Sequence, residues 1–261
     1  MPIPAGGAVK VLTGQVTMDG DALANAAGQE SDVLVVIGQL LVTGPVSRVG
    51  YRRLMVVGEI VAPIGSEGAI GAAIGQLVGA TIYYPWAEGA AVQVLAGDVR
   101  LAPEALANAD GGENDILVVA GTVLVTGPVT RVGFRRVIVA GELLAPQESE
   151  TVLGPRAHVA GQVIYYTGTP RRFTGSDRFS RTFFELLEAP VSLILQGSFV
   201  IEADVPFDLV RAKLSGLCVQ GELRAPREVV PLLQVLATVK HGTIAPLDAS
   251  TNEAEPAGDR S

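Results

Sequence analysis

A 31-residue stretch occurs twice in this chain. Residues 33–63, VLVVIGQLLVTGPVSRVGYRRLMVVGEIVAP, return 83 residues later as residues 116–146, ILVVAGTVLVTGPVTRVGFRRVIVAGELLAP. A long duplication at a fixed offset points to a fold built by repetition. Each copy contains a smaller unit: a short apolar run, a glycine, one further residue, then a second apolar run. Registered on that glycine, the chain reads Gly14, Gly38, Gly58, Gly79, Gly97, Gly121, Gly141, Gly161, Gly197, Gly221, Gly242, at spacings of 24, 20, 21, 18, 24, 20, 20, 36, 24 and 21. The stretch opening near Gly197 is a third, more diverged copy.

The residues around each glycine alternate. Two before it stand Leu12, Val36, Val56, Leu77, Leu95, Val119 and Val139; two after it stand Val16, Leu40, Ile60, Val99, Val123 and Leu143. Between these positions, immediately after the glycine, fall Gln15, Gln39, Glu59, Asp98, Glu142 and Glu222. Period-2 alternation marks strands with one buried face. Residues 206–215, 227–238 and 103–109 suit short helices, the last with Pro103 at a first helical position. Consecutive strands joined by such returns lie parallel. The expected fold is therefore a parallel β-solenoid of about eleven rungs of 20–24 residues, with short helices or loops returning between strands. Its expected organisation is an N-terminal arm (1–8), a repeat solenoid over 9–246 in copies 9–90, 91–166 and 190–246, an insertion at 167–189, and a disordered acidic tail at 247–261. Gly71, Gly75 and Gly79 lie in an uncharged stretch, residues 68–87. The equivalent stretch of the second copy carries Arg156 and His158, so a buried turn is expected here rather than a membrane span.

The V-x-G-x-L rhythm, as in VVGEI and VAGEL, resembles the polymer-forming bactofilin type of β-helix. The strand-plus-return rungs resemble leucine-rich-repeat solenoids, although the asparagine ladder and L-x-x-L-x-L spacing of those repeats are missing. The first resemblance implies a self-assembling filament subunit. Neither carries functional residues onto this chain.

Composition narrows function by exclusion. A net charge of −8 lacks the basic footprint of a nucleic-acid binder. The single cysteine, Cys218, leaves no cysteine-rich zinc site or internal disulfide, fits a reducing compartment and is expected in the core. The two histidines, His158 and His241, stand in different copies, and no G-x-S-x-G or P-loop motif is present. Glu59, Asp98, Glu142 and Glu222 share an outward position, which admits a polysaccharide-binding or polysaccharide-cleaving β-helix. A solvated ladder is the simpler expectation. The repeated Arg52–Arg53 and Arg135–Arg136 follow Tyr51 and Phe134, aromatics expected to plug the core. No cofactor, metal, small-molecule ligand, nucleic acid or membrane span is expected.

The spacing of 36 carries 18 residues beyond the equivalent step in the first copy. They fall in TGTPRRFTGSDRFSRTFFELLE, residues 167–188, where the first copy makes the junction without them. Arginine and aromatic residues favour binding hot spots. Arg171, Arg172, Phe173, Arg178, Phe179 and Arg181 are therefore the expected partner-binding residues. The acidic tail of a neighbouring copy, with Glu253, Glu255 and Asp259, has the complementary charge. The expectation is a non-enzymatic structural or protein-interaction protein of the cytoplasm, binding a protein partner or itself.

Overall fold

The alternating runs form strands that pair with the run before and the run after. The computed structural model describes residues 7–25 and 27–247. The expected tail and most of the expected N-terminal arm lie outside them. Four sheets of four parallel strands are present among the described residues. The first comprises β1 (Val9–Met18), β2 (Val33–Val42), β3 (Arg53–Pro63) and β4 (Ile74–Tyr84), paired in chain order. Its returns hold helices α1 (Gly20–Leu23) and α2 (Glu67–Ala73).

In the second copy each run is broken at its glycine into two short strands. These are β5 (Val92–Ala96) and β6 (Val99–Leu101), β7 (Ile116–Ala120) and β8 (Val123–Val125), β9 (Arg136–Ala140) and β10 (Leu143–Pro146), and β11 (Ala157–Val159) and β12 (Val163–Tyr166). They form one sheet in the order β11-β9-β7-β5 and another in the order β12-β10-β8-β6. Helices α3 (Pro103–Ala107) and α4 (Glu150–Leu153) lie in this copy, α3 with Pro103 in its first turn as expected.

The last sheet comprises β13 (Thr169–Phe179), β14 (Val191–Ile201), β15 (Leu214–Ala225) and β16 (Ala237–Pro246). Its connections carry α5 (Arg181–Glu185), α6 (Phe207–Lys213) and α7 (Val230–Leu236). Contacts divide the described residues into two compact units, one running to residue 144 with 148–163, the other holding 145–147 with the residues from 164 on.

The glycines do stand opposite one another, but not as one column of eleven. Pairing aligns Gly14, Gly38, Gly58 and Gly79 in the first sheet and Gly175, Gly197, Gly221 and Gly242 in the last. Gly175 was missed by the spacing because the steps between sets shorten. The register shows why glycine recurs: Gly38 and Gly58 have φ of 128° and 134°, and a Cβ on either would collide with the carbonyl oxygen of the preceding strand's glycine.

Inside the first unit, Leu34, Val36, Leu40, Leu54, Val56 and Ile60 face a core closed by Leu23, Val46, Tyr51 and Ile70 from the connecting segments. One-face burial, expected throughout, does not hold. Leu41, Val61, Ile82 and Tyr84 on the other face of the first sheet pack with Ile116, Val118, Ile138 and Ala140 of the second copy. Both faces are thereby buried over the second half of β2 and over Ile116 to Val119 of β7. The second unit has its own core of Leu193, Leu195, Phe199, Ile201, Leu217, Val219 and Leu223, with Phe184, Val210 and Leu233 contributed by the helices.

Candidate interaction surface

The span expected as an insertion is sheet structure. β13 pairs with β14 over eleven register positions, from Thr169 opposite Val191 to Phe179 opposite Ile201. It is the outer strand of its sheet. Alternation sends Phe173 and Phe179 inward, where they meet edge-on with ring centroids 5.1 Å apart. Phe183 of α5 stands 4.8 Å from Phe179, and Phe199 of β14 stacks 5.8 Å from it. Phe179 is 1% exposed. The two aromatic members of the expected contact set thus lie beneath the sheet. Ser180 starts α5 by accepting from the Phe183 amide at 3.3 Å.

The arginines lie at the surface or partly so. Arg171 is exposed at the start of β13. Arg178 pairs with Glu202 at 3.3 Å, and Arg181 with Glu185 one helical turn on at 2.7 Å. Arg172 donates from Nε to Oε1 of Gln196 at 2.8 Å, and Gln196 donates from Nε2 to Oε1 of Gln220 at 3.0 Å. His241 stands next in the same row, opposite Gln220. The row is Thr174, Gln196, Gln220 and His241, and Arg172, two residues before Thr174, reaches diagonally into it, so hydrogen bonds link three strands from Arg172 to Gln220. The corresponding row is Thr13, Ile37, Val57, Val78 in the first sheet and Ala96, Ala120, Ala140 in the second copy. Only the last sheet has polar side chains along this whole row.

The other candidates do not assemble into a catalytic group. Glu59 lies between Gln39 and Ala80, and Glu222 between Ser198 and Thr243, so neither has an acid opposite it. Glu59 accepts from Gln39 at 3.2 Å and Glu222 from Arg224 at 2.7 Å. His158 is on β11 opposite Ile138. Among the described residues no group of three or more His, Cys, Asp or Glu could hold a metal ion, and no helix is long and apolar enough to cross a membrane. Cys218 is buried against Thr238 at 3.4 Å, and burial raises its pKa. Tyr51 and Phe134 are core residues. Arg135 and Arg136 reach the Asn114 side chain at 3.3 Å and the Pro155 carbonyl at 2.7 Å rather than carboxylates. An open depression of about 300 Å³ lies between Ser47, Arg48, Arg52 and Ala72.

A repeated loop clamp went unread in the sequence. Asp32 accepts from the amides of Ala8 and Gln29, both at 2.9 Å; Asp115, 83 residues on, accepts from Ala91 at 3.0 Å and Gly112 at 2.9 Å. Asn25 and Asn108, at φ 50° and 45°, donate to the same carboxylates. The available signal was the recurrence of Asn and Asp at identical offsets in both copies. The chain matches no protein-family profile, no curated protein and no solved structure.

Proposed function

We propose that the chain is a non-enzymatic structural or protein-interaction protein of the cytoplasm. In this reading its strand sets are stacked rungs of a β-solenoid, and its contact surface is the basic outer edge of the last sheet. The observation that carries the reading is β13 itself. It is an outer strand with Arg171, Arg172 and Arg178 on it and Arg181 just beyond, against one acid, Asp177. Phe173 and Phe179 brace that edge from beneath. An outer strand offers backbone donors and acceptors to an extended segment, and the arginines select an acidic one.

The test uses a synthetic peptide of residues 247–261 as an acidic probe, with fluorescence anisotropy as the readout. Binding should weaken with added salt. It should fall by about tenfold or more in an Arg171→Glu, Arg178→Glu variant, as removal of specific charge contacts does. Equal binding by both proteins would overturn the assignment.

A second reading, a self-assembling filament subunit, is favoured by the edges of the sheets. β1 and β4, like β13 and β16, are outer strands of about ten residues that end their sheets in parallel register. Edge-to-edge addition of copies would continue the glycine register. Filaments in electron micrographs at raised concentration would support this reading, and their absence would leave the first.

A further inference from the structure

Nine large hydrophobic residues are conspicuously exposed among the described residues, and five of them lie on one sheet face: Val9 (43%), Val11 (55%), Ile37 (49%), Val57 (46%) and Val78 (52%). Strand register places them together. Ile37, Val57 and Val78 are directly opposite one another across β2, β3 and β4, and Val11 lies opposite Val35, which lies opposite Met55. The patch lies on the outer face of the first half of the first sheet, whose margins also carry Thr13, Arg53 and Gln76. Polar residues border it on the glycine side, where Gln15, Gln39 and Glu59 form the next row. Contiguous apolar faces with a polar rim mark interaction surfaces in otherwise well-packed proteins.

The chain itself shows what such a face accepts. Val33, Val35, Met55 and Val57 correspond, at an offset of 83 residues, to Ile116, Val118, Ile138 and Ala140. In the second copy those four are buried against Leu41, Val61, Ile82 and Tyr84, a sheet face from the first copy. Among the described residues nothing covers the same position on the first copy, where Ile37, Val57 and Val78 stand exposed. Its occupant must be an apolar sheet face. The outer face of the last sheet does not qualify: its row just before the glycine is polar throughout, with Thr174, Gln196, Gln220 and His241, and in the next row Arg172 leads while Ile194 and Cys218 are already buried. A second copy brings one matching surface, its own β1–β4 face. At the rim, Gln39 is buried and donates to Glu59 at 3.2 Å.

We infer that the outer face of β1–β4 is a self-complementary interface through which two copies of this chain pack sheet against sheet as a two-fold dimer. An isologous contact closes after two subunits. The patch spans four strands by about 20 Å, small for an obligate dimer and suited to reversible association in the micromolar range.

Sedimentation velocity on the full chain, from about 1 to 100 μM, reads the association directly. The wild type should reach twice the chain mass. An Ile37→Lys, Val57→Lys variant sets like charges against each other across the two-fold axis and should weaken association by roughly 100-fold or more. Its melting temperature should be unchanged, because both residues are exposed. Val235→Lys, at an exposed apolar residue of α7, should dimerise like the wild type. If the lysine variant loses its circular dichroism signal, Val57→Thr with Val78→Thr keeps strand propensity and should still weaken the dimer by about tenfold. A wild type that stays monomeric at the highest concentration overturns the inference. So does a lysine variant that still dimerises, or assembly that continues past two copies. Loss of the dimer in Arg171→Glu, Arg178→Glu instead would transfer self-association to the basic edge and also overturn it.

Discussion

Tyr84 donates its hydroxyl to the carbonyl oxygen of Val42 at 2.6 Å, across 42 residues of sequence, inside the buried layer between the first two copies. The bond satisfies a strand-end carbonyl that packing removes from water. Tyr84→Phe keeps the ring and leaves that acceptor bare, so it should cost about 1–2 kcal/mol in urea unfolding. Burial raises the pKa of Tyr84. The folded protein therefore holds the proton more tightly than the unfolded chain. Stability is unaffected below the ordinary tyrosine value of 10.0 and should fall as pH rises above it. The Phe variant should lose less stability over that alkaline range. Identical alkaline limbs would show that Tyr84 is not the group responsible.

The glycine positions separate two kinds of substitution. Gly58→Ala places a Cβ against the Gly38 carbonyl at a φ of 134°, so it should cost about 2 kcal/mol or more. Gly71 lies in α2 with open space where its Cβ would stand. Gly71→Ala should stabilise by about 0.5–1 kcal/mol. Thermal melts of the two variants moving in the same direction would contradict the register.

Asp32 and Asp115 give the acid limb of stability. Hydrogen bonds from Ala8 and Gln29 to Asp32, and from Ala91 and Gly112 to Asp115, hold both pKa values below the ordinary 3.8. Their contribution is complete above that value and disappears as pH falls through the lowered ones. An Asp32→Asn, Asp115→Asn variant should be less stable than the wild type at neutral pH, and the gap should close as pH falls below the ordinary carboxylate range. A gap that stays constant with pH would assign the effect to lost shape rather than charge.

Phe179 tests whether the span at 167–189 is structural. Phe179→Ala should destabilise by about 3–5 kcal/mol, the range for a buried phenylalanine. Deleting residues 169–184 removes β13 and Phe184 and should unfold the second unit, since Phe199 and Ile201 lose their cover. A deletion variant that melts within a few degrees of the wild type would show that the last three strands stand without β13.

The duplication at 83 residues and the alternation around each glycine determine by themselves that the chain forms parallel strands, which positions face inward, and where α3, α6 and α7 fall. These are local properties: a two-residue period and a proline or glycine act on their own segment. The sequence also carries the pair of Asn–Asp clamps, legible only once the two copies are laid over each other. Other features belong to tertiary structure alone. Gly175 enters a column because β13 pairs with β14, which a spacing count cannot detect when connections differ in length. Leu41 and Val61 are buried because a second sheet covers them, while Val57, four residues from Val61 on the same face of the same strand, remains exposed. Alternation states which side a residue takes; what lies against that side is decided only when whole sheets pack.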